Sequence, residues 1–71
     1  ELSIYPNPNN GQFSIPENND VGELRIYNIL GKQVYSETIT KNNVLTNLPN
    51  GMYVVAIRRA DTLYTTRMVI K

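Results

Sequence analysis

With 71 residues, 41% of them hydrophobic, the chain makes one small domain over residues 1–71, and a domain of this size buries only roughly 60% of the surface its unfolded chain exposes. No Cys and no His are present, which excludes disulfide support, thiolate chemistry, the familiar zinc sets and the commonest general base near neutral pH. Seven basic and six acidic residues leave a net charge of +1, so nothing electrostatic speaks for nucleic acid or an anionic membrane, and no apolar run approaches the ~20 residues of a membrane span.

Glu1 opens the sequence with neither Met nor a signal-peptide pattern, and the domain is expected to be a piece of a longer protein. Glu1–Tyr5 alternates, with Leu2 and Ile4 on one face, and predicts a first strand. Pro6-Asn7-Pro8-Asn9-Asn10-Gly11 stops it: two prolines oppose helix and ladder pairing alike, and a glycine closes the stiff bend. Gln12–Ile15 resumes the alternation with Phe13 and Ile15 inward, until Pro16–Asp20 breaks it. Gly22–Asn28 follows as a half-buried strand with Leu24 and Ile26 on one face and Glu23, Arg25 and Tyr27 on the other. Asn28–Lys32 is its turn, with Gly31 as the position of positive φ, and Lys32–Thr38 pairs back to complete a hairpin. After the polar loop Thr40–Asn43 comes a brief strand, Val44–Thr46.

Leu48-Pro49-Asn50-Gly51 is the sharpest turn signal, because Pro49 fixes φ and Gly51 permits φ > 0. The strand it opens is the most apolar stretch of the chain. Tyr53, Val55 and Ile57 share one face, while Val54 and Ala56 keep the other mildly apolar until Arg58 and Arg59 end the run. A strand of this kind is expected at the centre of its sheet and covered on both sides. The run is also similar to the tyrosine corner of immunoglobulin-like domains, with Tyr53 bonding back to the preceding turn. Thr62–Ile70 completes a last hairpin. Short strands separated by Gly, Pro and Asn clusters, seven in all, predict an all-β fold, a small immunoglobulin-like antiparallel β-sandwich. A helix over residues 22–38 would have to run through Gly31 and a β-branched, Tyr-rich composition.

Reactive chemistry is hard to find. Glu1, Glu17, Asp20, Glu23, Glu37 and Asp61 stand singly, as solvated surface charges do, and give no acid–base pair. The asparagines of residues 7–10 and 18–20 lack the spaced acidic residues of a calcium loop and read as turn chemistry. Tyr5, Tyr27, Tyr35, Tyr53 and Tyr64 offer material for a carbohydrate or peptide platform, but strands favour tyrosine in any case. The sequence is therefore read as non-enzymatic, with no cofactor and no metal.

Three runs in order, Tyr5-Pro6-Asn7-Pro8-Asn9-Asn10-Gly11, Ile26-Tyr27-Asn28-Ile29-Leu30-Gly31-Lys32-Gln33-Val34 and Leu48-Pro49-Asn50-Gly51-Met52-Tyr53-Val54-Val55, together with the ending Arg67-Met68-Val69-Ile70-Lys71, resemble the type A C-terminal sorting domain of the type IX secretion system of Bacteroidetes. The resemblance covers nearly the whole chain. It implies a secretion signal at the end of a cargo protein, read by the outer-membrane translocon and its shuttle protein. Removal by a sortase-like peptidase and delivery through periplasm and outer membrane to the cell surface or medium are part of the same implication. On this reading Pro6, Asn7, Pro8, Gly11, Gly31, Lys32, Gly51 and Tyr53 shape the domain, and the last hairpin makes the contact through Arg67, Val69, Ile70 and Lys71. Met68 and Ile70 are open to a second reading as core. An exposed final strand with unpaired backbone groups suits strand addition by a partner, or pairing into a dimer. Asn43 departs from the family pattern, in which an apolar residue is more usual there. The rival reading is a structural or adhesive spacer, immunoglobulin-like or fibronectin-like, or a carbohydrate-binding module, retained on the mature protein.

Overall fold

The computed structural model describes residues 3–15 and 22–71, and every regular element in them is a strand: β1 (Gln12–Ser14), β2 (Gly22–Asn28), β3 (Gln33–Ile39), β4 (Asn43–Leu45), β5 (Gly51–Arg59) and β6 (Thr62–Ile70). All pairings between them are antiparallel. β1 pairs with β4, and β3-β2-β5-β6 form a second, four-stranded sheet. The inner faces of both sheets share one core, in which Phe13, Ile15 and Val44 meet Leu24, Ile26, Val55, Ile57 and Met68, all at most 1% exposed. This is the all-β, two-layer arrangement that the alternating pattern predicts.

The inward residues are those the period of two selects. Leu24 lies opposite Ile57 and Ile26 opposite Val55 across β2 and β5, while Tyr53 faces Met68 across β5 and β6. Phe13 and Val44 are likewise partners in the small sheet. Asn43 belongs to β4 despite its polarity, because its Oδ1 accepts the Ser14 hydroxyl at 2.8 Å across the pair. Met68 and Ile70, at 0% and 2% exposure, are core.

Three expectations change. A strand over Glu1–Tyr5 is not formed within the described residues: Tyr5 makes a single antiparallel bridge to Ser14, and Pro6 has no N–H with which to continue a ladder. Ile4 is still buried, whereas Glu1, Leu2, Glu17 and Asp20 lie outside the described residues. β5 is an inner strand of its sheet but is covered on one face only, with Met52 56% and Val54 39% exposed, because the small sheet lies across the opposite face. Gly51 does not take positive φ; Gly11 (+102°) and Gly31 (+84°) do, and so does Ala60 (+52°) in the two-residue turn between β5 and β6. An added Cβ at Gly51 would meet the Tyr53 ring at 3.6 Å, an ordinary contact, so nothing in the structure requires glycine there.

Candidate functional site

The first loop and the last strand, some sixty residues apart in sequence, are joined by four hydrogen bonds. Asn7 lends its side-chain amide as a substitute peptide: Nδ2 donates to the Arg67 carbonyl at 3.1 Å, and the Val69 N–H donates to Oδ1 at 3.0 Å. Asn9 then does the same with its backbone, its N–H donating to the Val69 carbonyl at 3.0 Å and its carbonyl accepting the Lys71 N–H at 2.8 Å. The result is a short parallel bridge between Asn9 and Ile70 along the outer edge of β6. Pro6 and Pro8 carry no N–H, so the asparagines supply every donor this stretch presents to the strand.

The loop is rigid for reasons that are local to it. Asn9 is 6% exposed, with Nδ2 donating to the Pro6 carbonyl at 3.0 Å and Oδ1 accepting the Gly11 N–H at 2.8 Å. Both polar ends of a buried amide are thus satisfied. Gly11 has positive φ, and a Cβ there would sit 2.9 Å from the Thr46 carbonyl oxygen. Its own carbonyl accepts from both the N–H and the hydroxyl of Thr46, at 2.8 and 3.0 Å, which fastens the loop to the end of β4.

Around this clasp the residues singled out from the sequence fall into two groups. Asn7 meets Arg67 and Val69 directly, and Lys71 joins them through Asn9; Ile70 lies at the bridge to Asn9 while its side chain fills the core. Tyr53 lies on the neighbouring strand, and its hydroxyl donates to the Pro49 carbonyl at 2.5 Å, the back-bond of a tyrosine corner. Gly31 and Lys32 are exposed in the β2–β3 turn, but Ile29 of that turn shares a cavity of about 220 Å³ with Met52, Val54 and Arg67. Asn9 and Thr46 escape the sequence reading. An asparagine between Pro8 and Gly11 was the available signal, since such a residue can hydrogen-bond the backbone two positions on.

The clasp also corrects the expectation of a bare final strand. From Arg67 to Lys71 the outer edge of β6 is occupied by the molecule's own first loop. Strand parity turns the backbone of Leu63 and Thr65 the same way as that of Val69, and among the described residues no hydrogen bond reaches it from outside the sheet. Strand addition or dimer pairing along β6 therefore has only this short stretch to use.

The chemistry on offer is that of shape and backbone. Among the described residues no cluster of three or more His, Cys, Asp or Glu is placed to hold a metal. Residues 3–71 match the family model described as the secretion system C-terminal sorting domain. The chain belongs to that family. No curated protein matches the chain. The sorting domain is a type IX secretion signal of Bacteroidetes, carried behind a cargo and directing it to the cell surface or beyond. In this member of the sorting-domain family the first motif, from Tyr5 to Gly11, and the final residues are one structural unit.

Proposed function

We propose that the sorting domain is read as a folded label whose recognised part is the clasped end of β6, with Arg67, Val69 and Lys71 facing outward and Ile70 anchoring them. The translocon and its shuttle protein are the readers, and a sortase-like peptidase removes the label once the cargo has crossed the outer membrane. The observation that carries this reading is the set of four hydrogen bonds from Asn7 and Asn9, which holds the last five residues in one shape. Pro6, Pro8 and Gly11 set the clasp, Gly31 and Lys32 the adjacent turn, and Gly51 and Tyr53 the strand beside it. No reactive group takes part.

The test is a periplasmic reporter carrying an N-terminal signal peptide and residues 1–71 at its C-terminus, in a host with the type IX machinery. Export that disappears in a machinery-deficient strain is the expected result. A reporter that stays in the periplasm, or leaves equally well without the machinery, overturns the proposal. Deleting Val69–Lys71, which takes the buried Ile70 and three of the four clasp bonds with it, is expected to abolish export. The Val69→Lys, Lys71→Glu double variant, changed only at outward side chains, is expected to do so with the fold intact; undiminished export from both would move the recognised surface elsewhere.

A further inference from the structure

Among the described residues nothing covers the outer face of the four-stranded sheet. β5 runs across it with Met52, Val54, Ala56 and Arg58, flanked by Tyr27, Arg25 and Glu23 of β2 and by Arg67, Thr65 and Leu63 of β6. On a solvated antiparallel face these positions are normally polar. Here Met52, Val54 and Leu63 are 56%, 39% and 57% exposed, and two shallow cavities of about 230 and 220 Å³ share Val54 as a wall. The first is lined by Tyr27, Val54, Ala56 and Leu63 with Arg25 and Arg58, the second by Met52, Val54 and Ile29 with Arg67.

The charge on this trough is unbalanced. Arg25 is engaged by Glu23 at 3.2 Å, the one ion pair among the described residues. Glu23 also lines the first cavity and lies opposite Arg58 across β2 and β5, but its ion pair is with Arg25, so three arginines share one carboxylate and Arg67 has none in ion-pair range among the described residues. Arg58 stands four positions along β5 from Val54, and Arg67 lies opposite Val54 on β6, so the two guanidinium stems are about 13 Å apart along the strand direction and one strand spacing, about 4.8 Å, apart across it. An extended chain places side chains i and i+4 on one face at that same separation along its length, with i+2 between them.

We propose that this trough docks a protein segment of the export machinery in extended form, presenting carboxylates at positions i and i+4 and an apolar side chain at i+2. The carboxylates meet Arg58 and Arg67, and the apolar side chain packs over Ala56 and Thr65, between Val54 and Leu63. A second copy of the domain is a poor occupant, since its own trough carries the same positive charge. The inference rests on the sorting function and shares Arg67 with the clasped tail, but the residues that test it, Arg58 and Val54, lie outside the clasp.

The reporter described above supplies the test. Arg58→Glu and Val54→Glu, each on the exposed face, are expected to lower the exported fraction about tenfold. Arg58→Gln is expected to lower it a few-fold, and Lys41→Glu, in the β3–β4 loop, to leave it unchanged. Thermal melts of the purified variants show that they fold; if Arg58→Glu does not, Arg58→Gln and Val54→Glu decide. Full export of the Arg58 and Val54 variants, alongside loss of export on deleting Val69–Lys71, overturns the trough and leaves the tail as the signal. A wild-type reporter that is not exported overturns both. A wild-type dimer that Arg58→Glu converts to monomer with export unchanged assigns the face to a second copy and overturns the proposal.

Discussion

Two bends in this domain use the same local chemistry to different ends. In the loop ending at Gly11 and in the β2–β3 turn ending at Lys32, an asparagine side chain accepts backbone N–H groups just ahead of it and a glycine takes positive φ. At Gly31 a Cβ would meet nothing within 4 Å, so the glycine is there for its backbone angle alone. At Gly11 it would strike the Thr46 carbonyl, and the asparagine two residues earlier is bonded through its backbone to β6. One bend merely reverses the chain; the other locks three parts of it together. Turn chemistry alone does not reveal which bend is which.

Substitutions separate the two. Gly11→Ala is expected to cost about 3 kcal/mol, from left-handed strain plus the clash with Thr46, and to appear as a large drop in melting temperature. Asn9→Ala comes next at about 2 kcal/mol, because it strips partners from the Gly11 N–H and the Pro6 carbonyl in a mostly buried setting. Gly31→Ala, facing open space, is expected to cost about 1 kcal/mol. Equal losses at Gly11 and Gly31 in urea titrations would erase the distinction drawn here. The smallest effect is one of pH. The clasp is built from amides and does not titrate, whereas β3, which leaves the other bend, carries Tyr35, whose hydroxyl is pushed up to about 12 by its hydrogen bond to Glu37 and by burial. A raised native value favours the protonated phenol, so the stability it adds is complete below about pH 10, the ordinary tyrosine range, and is lost as pH climbs toward 12. Unfolding midpoints should fall across that window in the wild type and more shallowly in Tyr35→Phe.

The strands were legible because period-two patterning and turn residues are local. Leu24, Ile26, Tyr53, Val55 and Ile57 face inward as their spacing requires, and Tyr53 bonds back to the turn before it. What the spacing could not show is whether a second layer exists on the far side of β5. Val54 suits a strand whether buried or not and Ala56 is small enough for either setting, and among the described residues no strand is left over to cover that face. Gly51 misled for a related reason: it follows Pro49 as turn residues do, yet it is already the first residue of an extended strand. The clasp itself lay beyond pattern reading, since its hydrogen bonds join residues 60 and 62 positions apart and depend on an asparagine imitating a peptide group.

The bridge between Asn9 and Ile70 has a consequence for how the protein is made. On the ribosome the Asn7–Asn9 stretch emerges some sixty residues ahead of Arg67–Lys71, and its bonds to β6 form only once those residues have left the exit tunnel. A product broken off before Arg67 leaves that seat empty. Display of the clasp therefore requires the chain through Lys71, and a shorter product lacks it.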